Sequence, residues 1–397
     1  MDKIVRREMH TGMSVQGVVA LVEDVIQSKV KEDVMQAGMF TGGDPPFSHY
    51  YEQQCQPDEN SRSKWADYRK FHEQCRTDKS CLQRALMWKC DRHDECFGLG
   101  DQVKGIAFTL YAAMASKRPF FISSWNRLGQ DVLDLFQQDS ISVTPPRELL
   151  PCTPHRWLFD KKGRFVNGTY RDSDLINSMA TIANAKSCIT VNSNFDTTLL
   201  MERNTELILK FIPWMRHIKS MYASGCAMRF LFKPLKFTSA DRVQFPSLPK
   251  HFSVLHFRVN DAEFGKTTSC EKHAKAIEGA LQCAKDKHIS DVVFLSISEA
   301  CKRQALVMQK AMGVRVFVSK GVARHIGIDQ SQLSLTEFRA ALWSEFLLMA
   351  YADFIISDRL SGFSLAAASM AFLPAERYLD SHHCQPRFRN YSSRQGL

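Results

Sequence analysis

The stretch VLHFRVND, residues 254–261, sets His256 and Arg258 two positions apart inside a run that otherwise reads as a buried strand. At that spacing both side chains share one face of the strand, near its carboxyl end. A guanidinium is permanently charged and its fork of N–H groups matches a phosphate bidentately, so Arg258 reads as an anion clamp. His256 beside it would hydrogen-bond a ribose or phosphate oxygen. Asp261 stands where the strand gives way to a loop, as a brace for the loop and the guanidinium or as a base. An internal Arg258–Asp261 ion pair beside a satisfied core histidine explains the local pattern about as well.

A second group lies in SDRLSGFSLAAASM, residues 357–370. After an apolar strand the chain turns through Ser361 and Gly362 into a helix, leaving N–H groups and hydroxyls at a positive helix end, which suits an anion. Ordinary capping by Ser361, worth roughly 1 kcal/mol, is the competing account. A third group is CFGLGDQVKGI, residues 96–106. Its glycines do not follow G-x-G-x-x-G, because the third is displaced to Gly105, and the chain has no Walker A sequence, which argues against a dinucleotide fold of that type and against a P-loop enzyme. Gly98 and Gly100 instead let backbone approach a substrate or a facing domain. Ser296 and Ser298 follow the apolar run VVFL and sit at another strand end, where they could line the same cleft.

The elements that must hold these groups alternate regularly after the Pro-rich FPSLPK, residues 245–250. Apolar strands near 252–259, 291–297, 314–319 and 353–358 are separated by amphipathic helices near 270–286, 299–312, 335–352 and 362–373. That pattern predicts a parallel sheet covered on both faces, with ligands at the carboxyl ends of its strands. Gly98–Pro119 reads as a glycine turn and a helix, and FFISSW as the strand after it. A hairpin is expected around Lys162 and Gly163, and a helix over 204–223 broken at Pro213. The division expected is a partly helical, cysteine-rich extension over 1–95, with a helical pattern at 14–37. A Rossmann-like domain follows over 96–245, then a second over 250–380 and a tail over 381–397.

Of 397 residues, 44% are hydrophobic and 24% charged, an ordinary globular composition with ample chain for two cores. The net charge of +10 is scattered rather than striped, and no nucleic-acid-binding signature accompanies it, which disfavours nucleic acid and leaves an anionic membrane surface or a site for a phosphate-bearing small molecule. Of twelve cysteines, Cys75, Cys81, Cys90 and Cys96 run C-x5-C-x8-C-x5-C, without the C-x2-C knuckle of structural zinc. Disulfides in an oxidising compartment fit better, although sequence cannot choose among three connectivities. Sequons at Asn167 and Asn390 lean the same way. GVVALVEDVI, residues 17–26, is too short and too acidic for a spanning helix or a signal peptide. Membrane association is therefore expected only through an anchor not seen in this chain.

Taken together, GLGDQVKGIAFTLYAAMASKRPFFISSW, VLHFRVND, VVFLSIS and LWSEFLLMAYADFIISDRLSGFSLAAA resemble, in order and spacing over about 98–372, the GDP-fucose-dependent fucosyltransferase superfamily. That superfamily includes the α1,6-, α1,2- and protein O-fucosyltransferases. The resemblance implies a GT-B-like α/β fold, two Rossmann-like domains facing a cleft, with the donor held mainly by the C-terminal one. It further implies that Arg258 holds the donor diphosphate, that His256 positions the donor, and that Ser361, Gly362, Phe363 and Ser364 lie against the nucleotide. Two positions depart from known patterns. Val259 replaces the second arginine of the α1,6 enzymes, and Asp101 replaces the asparagine of protein O-fucosyltransferases.

The activity implied is inverting, metal-independent transfer of fucose from GDP-fucose to a glycan or glycoprotein hydroxyl, in the Golgi lumen, with no further cofactor. Asp101, Asp261 and Glu263 are the candidate bases. The alternative is a non-catalytic relative that binds a nucleotide or sugar on the same fold.

Overall fold

The structure, a computed structural model, describes residues 44–90, 98–127, 130–131, 133, 136–147, 149, 152–156, 182–192, 212–234, 236, 248–257, 270–318, 343–358 and 361–387. The helical pattern at 14–37, the Lys162–Gly163 hairpin, both sequons, and Arg258, Asp261 and Glu263 lie outside them.

Two five-stranded sheets form the frame. The first has the order β3-β2-β1-β5-β4, from β1 (Leu86–Cys90), β2 (Phe120–Arg127), β3 (Gln130–Asp131), β4 (Thr153–Arg156) and β5 (Ile189–Asn192). All its pairings are parallel except the short β2–β3 one. The second has the order β10-β9-β6-β7-β8, from β6 (Ser253–Phe257), β7 (Asp291–Ser296), β8 (Arg315–Val318), β9 (Ile355–Ser357) and β10 (Tyr378–Asp380), and is parallel throughout. Each sheet starts at its centre, runs outward on one side and returns to the other, the doubly wound pattern.

The helices are α1 (Glu59–Cys75), α2 (Leu99–Ser116), α3 (Ala223–Leu231), α4 (Ala274–Asp286), α5 (Glu299–Met312), α6 (Ser344–Tyr351) and α7 (Gly362–Met370). Local chemistry sets several ends. Asp58 caps α1 through its carboxylate, Ser298 caps α5, and Gly313 closes α5 at φ +69°, a left-handed conformation that suits glycine. α4 and α5 bury one face of the second sheet in a separate core, whereas α2, α3, α6 and α7 share one continuous core that reaches both sheets.

The N-terminal boundary differs from the sequence expectation. Residues 44–90 are not an appended extension: β1 is the central strand of the first sheet, and Phe47, Cys55, Trp65 and Tyr68 are buried in the shared core. The run LMWKC escapes a pattern search because it is short, not alternating, and followed by polar chain. Three ties hold α1 and its flanks to the domain. Cys55 is disulfide-bonded to Cys226 on α3, Tyr68 Oη donates to the Arg118 carbonyl at 2.8 Å, and His72 Nε2 donates to the Phe120 carbonyl at 2.8 Å. The helix expected across Pro213 is instead a 3-10 turn over Pro213–His217, with α3 starting at Ala223; residues 204–211 lie outside the described chain. β4, β5 and β10 were also not expected.

Disulfides join Cys75–Cys81, Cys152–Cys188, Cys270–Cys301 and Cys283–Cys384 as well, and Cys90 is bonded too. This density fits folding in an oxidising, secretory compartment. No helix among the described residues is long and apolar enough to cross a membrane.

Buried His72 titrates far from its usual range. Burial, opposed by the Phe120 hydrogen bond and aided by Arg76, pulls it from 6.5 to about 4. The folded state keeps it neutral while the unfolded state takes up a proton below 6.5. Its contribution is therefore intact above pH 6.5 and lost as pH falls towards 4, about 3 kcal/mol in all. Thermal melts from pH 7.5 to 4.5 should show Tm falling with acid in the wild type and a visibly shallower fall in His72→Phe. Parallel curves for the two proteins would contradict this.

Candidate functional site

In a doubly wound sheet the ligand crevice opens where strand order reverses, beyond the carboxyl ends of the two strands there. In the second sheet these are β6 and β9, whose register pairs His256 with Ser357. His256 is 9% exposed, near the end of β6, and Phe257, the last residue of the strand, precedes Arg258 directly in the chain. The Asp358 amide donates to the His256 carbonyl at 3.4 Å, so the chain leaving β9 runs beside β6. It then enters α7 at Ser361.

Ser361 does not behave as an ordinary cap. It occupies the N-cap position of α7 but makes no side-chain cap hydrogen bond. Its Oγ is buried, with the residue 1% exposed, and has no hydrogen-bond partner among the described residues. A buried hydroxyl without a partner costs roughly 1–3 kcal/mol, so its retention beside a helix N-terminus points to a ligand oxygen. Phe363 is half-buried one step into the helix, with its ring 6.1 Å from His256 and edge-on to Phe346 at 5.4 Å.

The first sheet contributes the opposite wall. α2 follows β1 and begins at Gly98, and its N-terminus meets that of α7. A methyl on Gly100 would collide with the Gly362 carbonyl and lie 2.6 Å from the Phe363 amide nitrogen. A methyl on Gly362 would lie 2.6 Å from Lys104 Nζ and 3.2 Å from Asp101 Oδ1. The two helices thus touch backbone to backbone, with two positive helix ends converging on one place. Asp101, in the first turn of α2 and one-third exposed, pairs with buried Lys104 at 3.3 Å. Its negative charge offsets both Lys104 and the helix ends.

The remaining sequence-derived candidates distribute unevenly. Gly98 lies at the N-cap of α2, and a methyl there would meet nothing closer than Asp101 Oδ2 at 3.9 Å, so space does not demand glycine. Ser364 is fully buried and turned inward, donating to the Ser361 carbonyl at 3.3 Å and sharing a 2.9 Å hydrogen bond with Tyr378 Oη, which removes it from the crevice surface. Ser296 pairs in register with Phe257 at the edge, but its Oγ accepts from the Ser298 amide at 3.2 Å, and Ser298 Oγ accepts from the Cys301 amide at 3.3 Å. Both hydroxyls thus shape the start of α5.

Sequence reasoning passed over three groups. Lys104 was hidden on an apolar helix, and its only cue was the three-residue step from Asp101. Lys302, 2% exposed in its side chain, pairs with Glu299 at 2.7 Å at the start of α5. Glu345, at the start of α6, is pushed up to about 7 by burial, with Lys302 pulling it down.

No protein-family model matches the sequence, and no curated protein matches it. Solved structures do. One is an Arabidopsis thaliana FUT1 mutant in complex with GDP, at 14% identity and a TM-score of 0.53, over 85% of this chain and 84% of that one. Another is NodZ alpha-1,6-fucosyltransferase soaked with GDP-fucose, at 14% identity and a TM-score of 0.39, over 72% of this chain and 92% of that one. With two doubly wound sheets joined at their carboxyl edges, the chain has a GT-B-like α/β fold, similar to that of the FUT1 structure.

The contrast between the two glycines of the Gly98–Leu99–Gly100 turn is testable. Gly100→Ala forces backbone apart at the crossing and should cost about 1–3 kcal/mol, read as a fall in Tm. Gly98→Ala should cost no more than about 1 kcal/mol, the scale of a lost N-cap preference. Equal Tm values for the two variants would refute the backbone contact.

Proposed function

We propose that the protein is a fucosyltransferase that moves fucose from GDP-fucose to the hydroxyl of a glycan or glycoprotein, with inversion and without a metal ion. The observation that carries this reading is the buried Ser361 hydroxyl at the N-terminus of α7, at the switch point between β6 and β9, with no hydrogen-bond partner among the described residues. A likeness in fold to an Arabidopsis thaliana FUT1 mutant in complex with GDP supports it.

In the proposed reaction the bond between the anomeric carbon and the diphosphate oxygen breaks as the acceptor oxygen bonds to the opposite face. Negative charge grows on departing GDP. Arg258 and the amides at the start of α7 stabilise that charge, with Ser361 Oγ donating to a donor oxygen. His256 positions the nucleotide and Phe363 packs against it. The acceptor proton passes to a carboxylate, for which Asp101, Asp261 and Glu263 are the candidates. Asp101 lies at the crossing of α2 and α7 and already carries Lys104 as counter-ion. The disulfides suit action in the Golgi lumen.

Arg258→Ala should abolish release of GDP from GDP-fucose in the presence of acceptor, and Arg258→Lys should recover little because the fork is lost. Ser361→Ala should weaken GDP binding by calorimetry about three- to tenfold, the worth of one hydrogen bond. Wild-type turnover in both Arg258 variants would rule out the clamp. GDP binding by the wild type with no turnover on any acceptor would favour the non-catalytic alternative.

A further inference from the structure

A pocket of about 670 Å³ opens on the first domain, away from the crevice just described and within the size range of small-ligand sites. Its polar lining comes from Ser123 on β2 and from Gln137, Gln138 and Thr144, and Phe136 and Pro145 supply apolar surface. No charged side chain is among the described residues that line it. Of the nearby guanidiniums, Arg76 donates to the Ser142 and Thr144 carbonyls at 3.1 Å, and Arg229 pairs with Asp139 at 3.0 Å.

The wall is also preset. Gln138 Oε1 accepts from the Val143 amide at 3.0 Å and its Nε2 donates to Thr144 Oγ1 at 3.2 Å, which fixes both the amide and the 138–144 turn. An aromatic series joins this wall to the crevice. Phe136 stands edge-on to Trp343 at 4.9 Å, Trp343 stacks on Phe346 at 5.6 Å, and Phe346 meets Phe363 at 5.4 Å.

We infer that this pocket holds a neutral oligosaccharide, an arm of the acceptor a few sugar units from the hydroxyl that reacts. Carboxamides and hydroxyls match the alternating donors and acceptors of sugar hydroxyls, and the Phe136 ring and Pro145 offer apolar surface to the C–H face of a pyranose. A sulfate, phosphate or carboxylate entering here would lose water and find no cationic side chain among the described lining residues. The role as an acceptor subsite rests on the transferase reading, but binding of a neutral glycan does not.

The test uses the full chain and a set of galactose-, N-acetylglucosamine- and mannose-terminated oligosaccharides, each beside a sulfated or sialylated counterpart. Calorimetry should find at least one neutral member bound and its charged counterpart bound at least tenfold more weakly. Gln137→Ala should weaken the neutral ligand about three- to tenfold, and Ser123→Trp, which fills the pocket, should abolish binding. GDP affinity should be unchanged in both variants. Hydrogen exchange with the neutral ligand present should show protection over 136–145, and this decides the matter if Ser123→Trp does not fold. No neutral ligand in the set bound, charged members bound equally well, or protection only elsewhere would each overturn the proposal. Neutral binding with protection over 136–145 but no GDP binding or turnover would keep the pocket and sink the transferase reading.

Discussion

The close crossing of α2 and α7 organises this molecule. Each helix follows the carboxyl end of a central or switch-point strand, so bringing their N-termini together brings together the ligand edges of two sheets. The contact is closer than a side chain allows at 100, where only glycine lets one backbone lie on the other, while at 362 an added methyl would press on the ends of Lys104 and Asp101. α7 is gripped again towards its other end. A methyl on Gly225 of α3 would collide with the Ser369 carbonyl, and the Gly225 amide donates to Ser369 Oγ at 2.7 Å. One short helix from the second domain is therefore held at both ends by the first.

That grip shapes the candidate site. Converging helix N-termini create a positive region that a protein would otherwise build from lysine and arginine, and buried Lys104 with its Asp101 partner tunes it. Ser361 sits at the N-cap of α7, and its hydroxyl has no hydrogen-bond partner among the described residues. The surrounding frame is rigid for separate reasons. Cys55–Cys226 closes 171 residues, and fully buried Arg118 is held by the carbonyls of Arg84, Ala185 and Ser187, which ties the amino ends of neighbouring strands. A guanidinium without a carboxylate partner is tolerated there because several carbonyl dipoles share its charge, and burial lowers it to about 10.

Legibility in the sequence followed the length and regularity of each signal. The second domain could be read because its strands are apolar runs bounded by helices with clear periods, and Gly313 closes α5 as a capping glycine should. The first domain was harder. β1, β4 and β5 are four or five residues long, and their pairing depends on chain more than thirty residues away, which no local window contains. The same limit applies to the site. His256 and the Ser361–Gly362 turn stood out because polar residues interrupt apolar runs, whereas Lys104, Lys302 and Glu345 look like ordinary polar positions until burial gives them meaning.

Residue order alone was enough to establish the α/β class, the parallel second sheet and a cysteine usage suited to an oxidising compartment, and to single out the carboxyl edge of that sheet as the candidate site. These rest on periodicity and composition, which are local and survive any arrangement in space. Packing decided which glycine touches backbone, which serine caps a helix and which stays unbonded, and which cysteines pair. Gly98 and Gly100 are the same residue two positions apart, and so, nearly, are Ser361 and Ser364. What separates the members of each pair is the neighbour across the core, which is a property of three-dimensional contact and leaves no mark on the residue itself.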